Sequence, residues 1–222
     1  MEPFNGLSEA FYQFLWDIAF HNEIGYFEEN RERYNRDVKQ PLLLLAESLS
    51  ETALAVDRGF YVKPGAVVSR IRRDTRYAPI DAPYRDHAYL TYRYPGVTQG
   101  ESFVIYVEFM RDSYGYGMGI YGLNPPFMAQ MRKRILARKE MFLQLIHAPA
   151  FKSDFVLEGE SYKRPKYTQE EPMPAEWLNK RRFYYSHISH DIKSTFRPQV
   201  LEEIKIAFLN MKPLYRFIMG LD

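Results

Sequence analysis

The stretch Phe103-Val104-Ile105-Tyr106-Val107-Glu108-Phe109-Met110 decides the fold of this chain, because its apolar residues recur at every second position. Its odd positions all carry large apolar side chains, whereas its even positions include Tyr106 and Glu108. This period of two is typical of a β-strand with one buried face and one mixed face. Similar spacing, broken by short turns, predicts antiparallel strands near 67–73, 87–94, 102–110 and 115–122.

Helical spacing of apolar residues replaces this pattern on both sides of the strands. It predicts helices from Ser8, from about 28 to 56, from near Pro125 and Pro126 through 131–147, and from near Pro198, with short strands at 155–157 and 183–188. Pro41 should lie in a first turn or at a kink, and Pro213 should interrupt the last helix. We therefore predict a single α+β domain over residues 1–222, in which N-terminal and C-terminal helices pack on an antiparallel sheet of at least four strands.

The composition is that of a globular protein without a strong charge bias. Of the 222 residues, 46% are hydrophobic and 26% are charged, and the formal net charge is +2. A dedicated nucleic-acid-binding protein usually carries a larger basic excess. The absence of cysteine excludes disulfides, thiolate metal sites and thiol catalysis.

Neither a membrane span nor a signal peptide is indicated. The longest aliphatic run, 42–46, is too short to cross a bilayer, and residues 1–5 lack the basic-then-apolar pattern of a signal peptide. We therefore expect a cytoplasmic protein with no membrane partner. The sequence leaves its oligomeric state open.

Six arginines and no lysine fall between residues 70 and 93. The planar guanidinium of arginine binds carboxylates and phosphates through two parallel hydrogen bonds, whereas lysine is a hydrated point charge. Three aspartates in the same window, Asp74, Asp81 and Asp86, are too few to neutralise six arginines. The cluster is therefore either an anion pocket or a solvated edge of ion-paired arginines, and the sequence leaves both open.

Glu108 and Tyr106 lie on the mixed face of their strand, beside the predicted strand that begins at His87. A glutamate near histidine and arginine can serve as a structural counter-ion, a general base or a metal ligand. His87 and Glu108 are thus the candidates for acid or base catalysis. The pair His187 and His190 has a spacing that fits neither a helical ligand pair nor one strand face, so we predict no metal and no other cofactor.

Three glycines, Gly115, Gly117 and Gly119, alternate along another predicted strand. They leave one face of that strand without side chains, so a helix, an aromatic ring or a ligand should approach closely there. Their spacing is not that of a dinucleotide-binding or phosphate-binding loop. We interpret them as packing positions for an aromatic ring or a helix.

Several motifs occur in a specific order along nearly the whole chain. They are Phe4-Asn5-Gly6-Leu7-Ser8, Arg70-Ile71-Arg72-Arg73-Asp74-Thr75-Arg76, Pro83-Tyr84-Arg85-Asp86-His87, Leu157-Glu158-Gly159 with Lys163-Arg164-Pro165, and Met211-Lys212-Pro213-Leu214-Tyr215. In this order they resemble the motifs of a widespread, mainly bacterial family known as domain of unknown function 2461. The resemblance supplies no reaction. It implies that one polar cluster is formed by Arg73, Asp74, Arg76, Tyr84, His87 and Glu108.

One departure from the family pattern concerns the turn at 78–82. The family usually has a lysine-containing turn there, and this chain has none. Any anion contact made by those lysines is therefore absent.

The leading hypothesis is that the protein binds a small anionic molecule on the mixed face of the sheet. Arg73 and Arg76 would hold the anion, and His87 or Glu108 would act as acid or base if a reaction occurs. Glu108 should accept a hydrogen bond from at least one arginine. The candidate ligand-binding residues are Arg70, Arg73, Asp74, Arg76, Tyr84, Arg85, His87, Tyr106, Glu108, Lys163 and Arg164.

Two alternatives remain open. One is a non-enzymatic module that binds nucleic acid or an acidic protein, which the low net charge disfavours. The other is a polar network with a purely structural role.

Overall fold

The computed structural model describes residues 3–74, 82–98, 100–151 and 155–221. The helices in this part are α1 (Glu9–Phe20), α2 (Ile24–Glu29), α3 (Arg31–Tyr34), α4 (Gln40–Val56), α5 (Pro64–Val67), α6 (Pro125–Ala137), α7 (Lys139–Ile146), α8 (Pro172–Asn179) and α9 (Gln199–Met219). The strands are β1 (Ala88–Tyr92), β2 (Phe103–Phe109), β3 (Tyr114–Ile120), β4 (Phe155–Glu158) and β5 (Tyr184–Ser189). The sheet order is β1-β2-β3-β5-β4, and all neighbouring strands are antiparallel. The predicted α+β fold is confirmed.

The predicted strand at 67–73 is wrong. Pro64 instead starts the short helix α5, because its fixed φ suits a first helical turn. Beyond α5 the chain makes isolated bridges from Val68 to Leu90 and from Arg72 to Tyr84. Its two apolar residues, Val68 and Ile71, are three positions apart and would lie on opposite faces of a strand, so no single buried face holds it as a regular strand.

The apolar face of β2 lies in the core, as predicted. Ile105, Val107 and Phe109 are fully buried, and Phe103 is nearly so. Helix α9 packs on β2 and β3, and α4 packs on α9 and β1. The predicted helical core residues Phe14, Ile18, Leu45 and Leu49 are also fully buried in the same cluster.

The prolines have different effects on their helices. A π-helical turn, Asn35–Lys39, precedes Pro41, which occupies the first turn of α4 as predicted. The predicted interruption at Pro213 is wrong, because α9 continues through it. Leu214 and Tyr215 are fully buried beside Pro213, and this packing outweighs the loss of one backbone hydrogen bond.

The helical prediction over 131–147 is corrected to two helices. Arg138 separates α6 from α7 with a non-helical backbone, φ −135° and ψ 46°. No helix in the described ranges is long and apolar enough to cross a membrane.

The glycines of β3 allow the neighbouring strand to approach, not a ring or a helix. A Cβ atom at Gly117 would lie 2.5 Å from the carbonyl oxygen of Tyr185, and one at Gly115 would lie 2.6 Å from that of His187. Both partners belong to β5. The expectation of packing against an aromatic ring or a helix is therefore replaced by close backbone contact between β3 and β5.

Candidate functional site

Arg85 and Arg93 hold backbone carbonyls of nearby loop residues. Arg85 Nη1 donates to the carbonyl oxygens of Arg70 at 2.7 Å and of Arg72 at 3.0 Å. Arg93 Nη1 donates to the carbonyl oxygen of Val97 at 2.7 Å. These contacts stabilise the loops. Because the Nη1 groups of Arg85 and Arg93 already donate to carbonyl oxygens, these two arginines have fewer N–H groups available for a ligand.

A chain of charged side chains, here called the Asp86 network, consists of Arg73, Asp86, His87, Glu108 and Arg111. Asp86 accepts from His87 Nδ1 at 3.3 Å and lies 3.5 Å from Arg73 Nη2 and 3.6 Å from Arg111 Nε. On the other side of the ring, His87 Nε2 lies 3.9 Å from Glu108 Oε1. The imidazole of His87 therefore has a carboxylate on each side.

The two carboxylates of this network have opposite pKa shifts. Burial raises the pKa of Glu108 above its ordinary value, although the charge of His87 works against this. Burial also acts to raise the pKa of Asp86, but the hydrogen bond from His87 and the charges of His87 and Arg111 outweigh it and lower that pKa. Two acids whose environments separate their pKa values can divide the roles of proton donor and fixed anion.

Tyr106 lies on the same sheet face as Glu108 but has another partner. Its hydroxyl is hydrogen-bonded to Ser186, and burial raises its pKa. Its ring packs edge-on against Tyr184, with ring centroids 6.2 Å apart. Tyr106 therefore links β2 to β5 across the glycines of β3.

A second feature, here called the basic cleft, lies between the N-terminal helices and the segment that follows α5. It is a cavity of about 430 Å³. The charged residues that line it are Glu28, Arg31, Lys39, Arg70 and Arg72. The cleft thus has four basic side chains and one acidic side chain in its walls.

Within the described ranges, three of these basic side chains form no ion pair with an acidic residue. Arg31 is paired with Glu28, with Nε 2.9 Å from Oε2. Lys39, Arg70 and Arg72 form no ion pair with any described residue. The charge of the cleft is therefore left uncompensated by the described part of the chain.

Tyr84 belongs to the cleft by its side chain and to the Asp86 network only by its backbone. Its buried ring stacks on Phe27, with ring centroids 4.4 Å apart. Asn22 fixes the Tyr84 backbone by donating to its carbonyl oxygen at 2.9 Å and accepting from its N–H at 2.8 Å. Arg73 Nε also donates to this carbonyl oxygen, at 3.0 Å.

The structure divides the residues that the sequence groups in one cluster. Arg73, His87 and Glu108 are brought together, whereas Arg70 and the ring of Tyr84 line the cleft. Arg76 lies outside the described residues. The predicted hydrogen bond from an arginine to Glu108 therefore stays a prediction.

The remaining candidates are placed elsewhere. Asp74 is exposed. Lys163 and Arg164 are exposed in the loop after β4, at the sheet edge opposite β1. His187 stacks on Tyr116, with ring centroids 5.0 Å apart.

Sequence reasoning missed Arg31, Tyr34 and Lys39. They lie on the helices before the arginine cluster, and only the tertiary packing of α2–α4 brings them to Arg70 and Arg72. An exposed basic residue on a helix is the ordinary case, so no local signal marked these positions.

A family model described as Conserved hypothetical protein (DUF2461) matches residues 10–217 of the chain. The chain belongs to this family. The match covers α1 to α9 and includes both the Asp86 network and the basic cleft of this DUF2461 protein. No curated protein matched the chain.

Proposed function

We propose that the protein binds a small anionic molecule in the basic cleft. The observation that carries this proposal is that Lys39, Arg70 and Arg72 line one cavity without an acidic partner among the described residues. The cavity volume of about 430 Å³ is within the range of small-molecule sites. An anion there would neutralise charge that the described chain leaves uncompensated.

The side chains around these cations favour the binding of an anion. Apolar side chains, including Leu43, Val68 and Ile71, share the walls with them. Charges interact more strongly beside such surfaces than in bulk water, because the local dielectric constant is lower. The two arginines also offer the planar donor arrangement that suits phosphate and carboxylate groups.

The test is binding of phosphate and of a small dicarboxylate, measured by calorimetry and by thermal unfolding. We expect millimolar anion to raise the melting temperature of the parent and to have a much smaller effect on the double variant Arg70→Gln, Arg72→Gln. Arg58→Gln is the matched control, because Arg58 is an exposed arginine that does not line the cleft. Equal effects on all three proteins, or none on the parent, would contradict the proposal.

A macromolecular partner is the alternative use of the same cations. Nucleic acid would bind through several phosphates and would therefore be released steeply by salt. An acidic protein would need a broad contact area outside the cleft. The shared cavity that these cations line and the low net charge of +2 favour the small anion. A cytoplasmic location stays a prediction of the sequence.

Proton transfer by His87 and Glu108 is a second candidate function. It is favoured by the raised pKa of Glu108 together with its approach to His87 at 3.9 Å. A general acid or base works best when its pKa lies near the operating pH. The competing structural role would use the same network only to join Arg73 and Arg111 through Asp86.

A further inference from the structure

The uncharged walls of the basic cleft give information about the ligand beyond its charge. Leu43, Val68 and Ile71 line the cleft and remain partly exposed, although Val68 and Ile71 also pack against the core. Apolar surface that stays in contact with water is a source of binding energy for any ligand group that covers it. A bare inorganic anion would leave this surface wet.

The size of the cleft leads to the same conclusion. One water molecule takes about 30 Å³ in the liquid, so a tetrahedral oxyanion displaces the volume of roughly three waters. The cavity of about 430 Å³ is several times larger. A ligand that fills it must carry a body of many more atoms than its charged group.

Two tyrosines add hydroxyl groups to the lining of the cleft. Tyr34 and Tyr84 are both buried cleft residues, and no described residue forms a hydrogen bond with either hydroxyl. Burial raises the pKa of Tyr34 to about 12, so its hydroxyl keeps its proton at neutral pH and can donate it in a hydrogen bond. The Phe27 and Tyr84 rings are stacked on each other with an interplanar angle of 22°, and both are almost fully buried behind the cleft.

We infer that the ligand of the basic cleft is an aryl phosphate or a close analogue, an oxyanion joined to a flat aromatic body. The inference rests on the proposed function, because Lys39, Arg70 and Arg72 would hold the oxyanion. The aromatic body would cover Leu43, Val68 and Ile71. The Tyr34 and Tyr84 hydroxyls would supply the remaining hydrogen bonds.

The experiment compares three probes by titration calorimetry: inorganic phosphate, 1-naphthyl phosphate and neutral 1-naphthol. We expect 1-naphthyl phosphate to bind at least tenfold more tightly than inorganic phosphate. Similar affinities for the two phosphates would overturn the inference and leave the proposed function intact. Equal binding of 1-naphthol and 1-naphthyl phosphate would overturn the inference, and no binding of either phosphate would overturn both.

Two variants test separately how the cleft binds the aromatic body of the ligand and how it binds the oxyanion. Leu43→Ala should reduce the advantage of 1-naphthyl phosphate over inorganic phosphate, and Leu209→Ala, which removes an exposed leucine of α9, should leave it unchanged. Tyr34→Phe should weaken both phosphates, because it removes a donor and keeps the ring. If Leu43→Ala and Leu209→Ala gave the same ratio of affinities as the parent, the aromatic body would not lie on this wall.

Discussion

At the scale of single residues, Glu108 makes a specific prediction about pH. Burial raises its pKa, so between its unfolded and folded pKa values the folded state binds more protons than the unfolded state. The contribution of Glu108 to stability therefore falls as the pH rises through this window. We expect Glu108→Gln to remove this fall of stability with rising pH. At pH values above this window, the variant should unfold at a higher denaturant concentration than the parent.

The measurement is a series of urea unfolding curves from pH 4 to pH 8 for the parent, Glu108→Gln and Glu51→Gln. Glu51 is an exposed residue of α4 and serves as the control for loss of one carboxylate. Parallel pH profiles for the parent and Glu108→Gln would show that the carboxyl group is not desolvated. The proton-transfer role of the His87–Glu108 pair would then lose its support.

The sequence predicts the local contacts of the arginine cluster better than its distant ones. Asp86 is a sequence neighbour of His87, and the excess of arginines over acids in this window indicates that some arginines lack partners. Which arginines those are depends on tertiary structure, because Arg85 turns to backbone carbonyls and Arg73 to Asp86. Among the described arginines of this window, Arg70 and Arg72 line the cleft together with Lys39.

At the scale of elements, β2 provides the stability test of the core. Ile105 is fully buried beneath the helices, so Ile105→Ala should lower the free energy of unfolding by about 2–5 kcal/mol. Ile206→Ala is the control, because Ile206 on α9 is 59% exposed. Denaturant midpoints measure both changes, and an equal effect of the two variants would refute the burial of this face.

The contact between β3 and β5 predicts an asymmetric response to glycine substitution. Gly117→Ala would place a Cβ atom 2.5 Å from the Tyr185 carbonyl oxygen, so the strands must separate. We expect a loss of about 1–3 kcal/mol, as for an overpacked core. Gly25→Ala in α2 has no atom within 4 Å of the new Cβ and should be neutral or stabilising. Thermal unfolding distinguishes the two, and a neutral Gly117→Ala would contradict the close approach.

Elements with a strong period could be predicted from the sequence, and those decided by packing could not. The alternation in β2 identifies a strand because its buried face is apolar at every second residue. The apolar residues of the segment 67–73 are Val67, Val68 and Ile71, which do not recur at every second position and so give it no continuous apolar face. Pro213 would end an isolated helix, and only the buried surface around it keeps α9 continuous.

At the scale of the whole molecule, the fold class follows from the order of helical and strand periods along the chain. The strand order does not, because β5 pairs with β3 and leaves β4 at the edge. A short turn predicts that two strands are neighbours only when they follow each other in the sequence, as β2 and β3 do. The insertion of β5 depends on the glycines of β3, whose partner the sequence alone does not name.

This strand order has a consequence for the synthesis of the protein. Until β5 leaves the ribosome, β3 is paired only with β2, and its other edge presents unpaired N–H and C=O groups. Helix α9, which covers β2 and β3, is translated later still. Between the emergence of β3 and that of β5, the nascent chain therefore carries a partly covered sheet with an open central edge, a state that is prone to aggregate. Chaperone protection should matter most in that interval and cease to matter once the last helix has docked.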